Sequence, residues 1–561
     1  VQLDGSRHHY TVADLGAGGF KNAVCFDNSK VEPPVVEANR LRSEAWAWRC
    51  GDVNLVVMKY NAAEMELSVA AVLDEAGAKC LRFGGVGTCL YGEPIRLHRV
   101  APGQTVTFGV TMYRVVRGDL TAAHTLYRAE LDRRGHGFPS DYNPPVNWNE
   151  LYDIGWHHSD PAALQQHYTR EALERQAALA KDVGCELLYL DPGWEVAEGL
   201  TRWDEARLGK QSEFAATLRD RYGLALGIRC ILRCNGDAAH HEWDERFVVR
   251  HAFGTRVIWH NYKPSAGHKE YCLCAPEFRR QKLERIDAVI KGGASFLMVD
   301  EMDWRGPCHD PNHGHPVPST HNDHVRAVYA LCRELRERNP NLLVECHDPL
   351  WPWHTCIYVP TYFQQAFKGG AYQENWGFEY MWNCLDDLKS GKALALYYYA
   401  LGCNIPLYLH ITMAADNDAC VFFWWAASTV RHLGIGGKQG HPTINPANLP
   451  PHDPEKRFAA YKQQMARYRR LKPWFVHGTF HGISETAHLH TQPGMPGGVL
   501  NLFNLTDAPK DMEVRIPLTL LSTDKPLTVD QGQAEWSKDA VTIRLTLPAM
   551  SPAVLTLGGA A

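Results

Sequence analysis

The sequence predicts an α/β protein: a central (β/α)8 TIM barrel with an N-terminal β-sandwich domain and a small C-terminal antiparallel β-sandwich. Three observations predict it. From about residue 146, apolar strand-like runs alternate with long amphipathic helices, in about eight steps over about 290 residues, the rhythm and size of such a barrel. On either side of that stretch, short runs rich in β-branched and aromatic residues take over, punctuated by Gly and Pro. No G-x-G-x-x-G follows the first apolar run, which removes the main argument for a doubly wound open sheet. The expected units are 1–140, 141–470 and 471–561, a division that suits a chain of 561 residues. The chain opens at Val1 rather than Met, so a removed leader or a shortened first domain stays open.

In the first unit, 53–60, 66–73 and 105–116 read as strands, and 120–134 reads as a helix leading out. The barrel is expected to start with a strand at 151–156, followed by a helix at 171–183 and a strand at 186–190. A helix near 212–222 then feeds the strand 225–232, the helix 276–291 feeds 296–299, and the helix 323–338 feeds 342–346. Next come a strand at 356–362, helical sequence at 382–401, a strand at 405–411, a helix near 420–430 and a strand at 432–436. After about residue 470 the helices are expected to stop, and 498–505, 512–516, 540–547 and 554–557 read as strands.

Composition narrows the class. Hydrophobic residues make up 45% and charged residues 22%, an ordinary globular profile, and a net charge of −5 argues against nucleic-acid or membrane-surface partners. No run of about 20 apolar residues could span a bilayer. The 16 Cys are scattered and lack the spacing of a disulfide framework, so buried free thiols in a reducing compartment are expected, a pointer to the cytoplasm. Homo-oligomerisation is left open. Aromatic residues are plentiful, with 17 Trp, 23 Tyr and 19 Phe. Most belong in cores, but pyranose rings also pack their apolar faces on such side chains.

Barrels carry their chemistry at the C-terminal ends of the strands. Here those ends are acidic and aromatic. One ends in Asp191-Pro192-Gly193-Trp194-Glu195 and another contains Arg229. A third ends in Asp300-Glu301-Met302-Asp303-Trp304, and a fourth in Glu345-Cys346-His347-Asp348, with Trp351 just beyond. Further on, Glu374 and Trp376 lie close together, and the strand through His410 leads to Asp416. A single Asp after a strand is as often a helix N-cap. Carboxylates with aromatics at several ends are harder to dismiss, because caps need no Trp. Hydrolysis of a glycoside requires two carboxyl groups across the scissile bond, with groups around them to hold the ring. Arg229, a charge inside an apolar strand, is costly unless paired, and is expected to answer a carboxylate in the cleft.

Over roughly 145–440 the chain resembles the α-galactosidase group, glycoside hydrolase families 36 and 27 of clan GH-D. The resemblance rests on 147–156, 188–194 and 296–304, in that order, and on Leu190-Asp191-Pro192-Gly193-Trp194, which is similar to that group's Leu-Asp-Asp-Gly-Trp. The flanking β domains match the family 36 layout. The resemblance implies Asp300 as nucleophile and Asp191 and Trp194 as sugar-holding residues, with a carboxylic acid/base after the sixth strand. No Asp lies between Asp348 and Asp386, so Glu374 is preferred for that role and Asp348 stands behind it. Arg229, Glu301, Asp303, Glu345, His347, Trp351, Trp376 and Asp416 are expected around the substrate. Pro192 replaces one of the family's galactose-binding carboxylates, and Met298 replaces its Lys before the nucleophile. The sugar is therefore not expected to be held as galactose is.

The implied function is an exo-acting, retaining glycosidase of oligosaccharides or glycoconjugates, needing no cofactor. A related transglycosylase and a non-catalytic sugar-binding barrel are alternatives. So is a metal-dependent hydrolase or lyase using the loop 308–321, where Cys308, His309, His313, His315 and His321 cluster. Its spacing matches no familiar finger, and its Pro and Gly suit a rigid active-site loop, so His309 or His315 lining the cleft is preferred and no metal is assigned. Cys272 and Cys274, one residue apart, read as structural.

Overall fold

The computed structural model describes residues 11–12, 20–21, 40–42, 45–60, 66–75, 78–87, 102–105, 109–135, 142–158, 160–232, 234–235, 242–254, 258–259, 268–300, 307–346, 364–366, 372–374, 384–391, 393–404, 408–442 and 452–558. At the centre lies a seven-stranded, all-parallel sheet. Its strands are β1 (Asn147–Asn149), β2 (Leu187–Leu190), β3 (Ala225–Ile231), β4 (Ala294–Asp300), β5 (Leu343–Cys346), β6 (Tyr408–Thr412) and β7 (His432–Gly436). Their spatial order is β5-β4-β3-β2-β1-β7-β6, so the first strand pairs with the last. Runs such as Leu187–Leu190 are buried at every position, as strands covered on both faces must be.

The sheet curls around a filled interior. Tyr189 on β2, Phe296 on β4, Tyr408 on β6 and His432 on β7 meet there, with Phe296 5.5 Å from Tyr408 and 5.3 Å from His432 between ring centroids. Strands β4 and β6 are not neighbours, so these contacts require curvature. Gly434 on β7 makes room for this layer, since a Cβ there would stand 2.0 Å from His410 Cδ2.

Helices cover the outside, and α1 (Arg170–Val183) shows why. Thr169 caps its first turn, Gly184 ends it in the left-handed region, and Ala172, Leu173, Gln176, Ala177, Ala180 and Val183 form the buried stripe. Gln176 accepts a hydrogen bond from the Trp148 indole at 2.8 Å, which pins α1 to β1. The helix α2 (Pro276–Lys291) leads into β4 and α3 (His321–Arg338) into β5; α4 (Val421–Thr429) is buried along its whole length, Trp424 and Trp425 included.

Three local expectations change. The stretch 151–156 is not the first strand: β1 precedes it, and Leu151–Ile154 is a helical turn, because the Asn149 and Glu150 side chains both take the Leu151 N–H. The helical sequence 382–401 is two helices, Cys384–Lys389 and Leu394–Gly402. The helix α5 (Pro454–His477) runs past residue 470, held by buried Leu471, Trp474, Phe475 and Val476. The expected strand 356–362 lies outside the described residues.

Separate antiparallel sheets flank the centre. Ala45–Cys50, Val53–Tyr60 and Val110–Arg117 form one sheet at the N-terminal side, followed by the helix Leu120–Arg133. At the C-terminal side a four-stranded and a three-stranded sheet enclose their own core, with Leu489, Leu500 and Leu555 facing Val514, Ile516 and Ile543. Among the described residues, no helix is long and apolar enough to cross a membrane.

Candidate active site at the strand ends

Where β2, β3 and β4 end, the structure brings together Asp191, Arg229 and Asp300, all nearly or fully buried. Arg229 is the hub. Its Nε donates to Asp300 Oδ2, its Nη1 donates to Glu198 Oε1 at 2.8 Å, and Asp191 Oδ1 stands 3.7 Å from Nε. Three carboxylates around one guanidinium is an acidic arrangement. Removing any of these charges from water is costly, so the arrangement depends on the mutual pairing. His158 Nε2 lies 3.5 Å from Glu198 Oε2 and extends the cluster.

The rest of the framework holds these groups in place. Asn149, at the end of β1, donates to Asp191 Oδ2 at 2.9 Å. The Asp191 N–H donates to Glu150 Oε1 at 2.8 Å, and the Tyr168 hydroxyl donates to the same oxygen at 2.7 Å. Burial, together with the nearby Asp191 charge, pushes the Glu150 carboxyl well above the usual carboxylate range. Gly193 is needed at its position: its φ is +134°, and a Cβ would stand 2.7 Å from the Tyr168 ring. Glu195 is also buried, which pushes its pKa up to about 7, against the opposing pull of Lys282 and the Thr201 N–H.

Three sequence expectations are reassigned by their surroundings. Trp194 is fully buried, donates its indole N–H to the Arg229 carbonyl at 2.9 Å and stacks on Trp203, so it braces β3 rather than offering a face to a sugar. Glu345 lies inside the sheet, level with Met298 and two residues below Asp300. Its partner His432 sends Nε2 to the Pro145 carbonyl at 2.8 Å, and a carbonyl only accepts, so the proton sits on Nε2. Burial pushes His432 down to a pKa of about 3 and Glu345 well above the usual carboxylate range, and Glu345 Oε1 lies against His432 Nδ1. That is an interior pair, not a substrate contact. Asp416 caps α4: Asn417 and Phe422 N–H donate to Oδ1 at 2.8 and 3.1 Å, and Phe423 N–H and Tyr461 O–H donate to Oδ2 at 3.0 and 2.6 Å. With four donors, its acceptor sites are filled.

Glu374 lies on Tyr372–Glu374, the second strand of a short antiparallel hairpin with Gln364–Ala366. Glu301, Asp303, His347, Asp348, Trp351 and Trp376 lie outside the described residues. Sequence reasoning missed Glu198, His158 and Asn149. Asn149 was within reach, because it sits in a resembling stretch; Glu198 and His158 lie in loops with no periodic signal.

A second polar cluster lies beyond β4. The Sγ atoms of Cys272 and Cys308 gather there with ring nitrogens of His313 and His315, the four within 4.8 Å of one another. Cys272 thus joins the loop residues in place of His309.

No family model and no curated protein matches the chain. Solved structures share its fold. The α-galactosidase of Lactobacillus brevis superposes on 90% of this chain with a TM-score of 0.59 at 13% identity, and the chain spans 66% of that protein's length. The family 36 α-galactosidase AgaA of Geobacillus stearothermophilus gives a TM-score of 0.58 at 15% identity, covering 92% of this chain and 71% of that one. An α-amylase of Geobacillus thermoleovorans gives 0.51 at 10% identity, over 74% of this chain and 99% of that one. At these identities the likeness is one of fold, and the curled parallel sheet with its flanking antiparallel sheets is similar to the fold of family 36 α-galactosidases.

Proposed function

We propose that this chain is a glycosidase whose nucleophile is Asp300. One observation carries the reading: Asp300 ends a central parallel strand and is ion-paired to Arg229 beside Asp191, in a buried acidic cluster on an α-galactosidase-like fold. The proposed architecture is a closed eight-stranded barrel whose remaining strand falls between β5 and β6; the adjacency of β1 and β7 supports this closure. In the proposed retaining reaction an Asp300 oxygen attacks the anomeric carbon. A second carboxyl group, Glu374 with Asp348 as the runner-up, protonates the leaving oxygen and later takes a proton from water. The acidic surroundings suit the positive charge that develops on the sugar ring in the transition state. Glu301, Asp303, His347, Trp351 and Trp376 remain proposed substrate contacts with Asp191 and Arg229. Pro192 and Met298 argue for a sugar other than unmodified galactose.

A panel of aryl α- and β-glycosides, N-acetylated sugars included, tests the reading, with the first-released anomer followed by NMR. The expected result is turnover of one exo-linked sugar with retention, lost in Asp300→Asn. Full turnover by a correctly folded Asp300→Asn protein would remove Asp300 from the mechanism.

A further inference from the structure

We infer that Cys272, Cys308, His313 and His315 form a structural zinc site, which fastens the loop after β4 to the segment before α2. Two thiols and two imidazoles are the donor set of a tetrahedral zinc centre. Zinc at the centre of such a set, with Zn–S about 2.3 Å and Zn–N about 2.0–2.1 Å, keeps its ligand atoms about 3.3–3.8 Å apart. Here all four lie within 4.8 Å of one another, and Cys308 Sγ is 3.3 Å from His313 Nδ1. Cys272, Cys308 and His313 are buried and His315 is half-buried.

The outer hydrogen bonds select the nitrogens. His313 Nε2 faces the Arg246 carbonyl at 2.6 Å, and His315 Nδ1 faces the Pro316 carbonyl at 2.7 Å. Carbonyls only accept, so in each ring that nitrogen carries the proton and the other offers its lone pair: Nδ1 of His313 and Nε2 of His315. His315 Nε2 is buried, and the Cys272 and Cys308 thiols are the side chains that the ring meets. Two thiols and two ring lone pairs turned toward one buried point suit a metal better than a packed loop. The loop is braced around this arrangement. Arg250 Nε donates to Asp310 Oδ2 at 2.6 Å, Asp310 caps the turn Pro311–His313, and the Cys308 N–H donates to Ser319 Oγ at 2.8 Å.

Four protein ligands complete the tetrahedron and leave no position for an activated water, which makes the site structural rather than hydrolytic. Binding replaces the two thiol protons: Zn2+ enters, Cys272 and Cys308 become thiolates, and two protons leave to solvent. Cys272 precedes α2 and the other three ligands follow β4, so the ion would join the two ends of the unit that carries Asp300.

Elemental analysis of the purified full chain, free of any affinity tag, tests the site. The expected result is about one zinc per chain, absent from Cys308→Ser and retained by His309→Ala and Cys274→Ser. Replacement by cobalt(II) should give a sulfur-to-cobalt charge-transfer band and the strong visible bands of tetrahedral coordination. Chelation should expose 307–320 to protease and lower the melting temperature. If Cys308→Ser does not fold, His315→Cys keeps four ligands: it should hold zinc and intensify the charge-transfer band, and an unchanged spectrum overturns the assignment. Wild-type chain without zinc, whether its thiols are free or Cys272 and Cys308 are joined as a disulfide, overturns it too, as does zinc retained by a folded Cys308→Ser.

Discussion

Asp300 and Asp416 both lie at the C-terminal side of the central sheet and have different partners. Asp300 ends β4 and Asp416 follows β6 by one short turn, in the same parallel sheet, and both are buried, at 5% and 0% exposure. Asp416 is held by three backbone N–H groups and one tyrosine hydroxyl, all fixed by the fold. Asp300 is held by a guanidinium that also serves Glu198. A carboxylate satisfied by backbone donors is part of a helix start. A carboxylate held by a shared side-chain cation can change partners when a ligand arrives. The partners, not the position or the burial, separate the cap from the candidate nucleophile.

That contrast can be broken or sharpened by substitution. The largest expected effect is on turnover: Asp300→Ala, measured per folded molecule, should lower kcat by about 10^4-fold or more, the scale for groups that act covalently. Asp416→Ala, measured per folded molecule, should keep its turnover. A reversal of these two results would invert the assignment of cap and nucleophile. Next in size is Arg229→Met, which leaves Asp191, Glu198 and Asp300 buried without their cation and should cost about 3–5 kcal/mol in urea unfolding. Adding Asp300→Asn and Glu198→Gln to it should restore much of that loss, and no recovery would mean that Arg229 acts by packing alone. Asp416→Ala should cost about 2–4 kcal/mol, from the lost cap and the stranded donors of α4.

The smallest effect concerns Glu195. Its pKa is raised to about 7 in the fold, so between the ordinary carboxylate range and pH 7 the folded state binds more protons than the unfolded chain. Stability from this group is therefore present at low pH and falls as pH rises through that window. Glu195→Gln keeps an acceptor for the Thr201 N–H and should flatten the profile, gaining about 1–3 kcal/mol over wild type at pH 8. Parallel stability curves for the two proteins would assign the pH dependence elsewhere.

Much of the fold was legible because its signals are local. The buried stripe of α1 recurs at helical spacing, and Leu187–Leu190 is an unbroken apolar run, so both could be read directly. The run at 151–156 misled because apolar content does not report that Asn149 and Glu150 take up the next backbone N–H and turn the chain. The proximity of Asp191, Arg229 and Asp300 was legible because strand ends are predictable places and a charge in an apolar strand needs an answer. The surroundings of Trp194 and Glu345 were not legible because their partners, the Arg229 carbonyl and His432, are distant in sequence, whereas Asp416 takes three of its four donors from the next seven residues and could have been read as a cap. Cys272 escaped for the same reason, being 36 positions from Cys308 along the chain and beside it in space.

The ring layer of Tyr189, Phe296, Tyr408 and His432 has a bearing on traffic. Among the described residues, it fills the inside of the curled sheet below Asp300, so the open side of that carboxylate is the side of the strand-end loops. On the proposed function, arrival and departure would then share that one side, and a product slow to leave would hold back the next substrate.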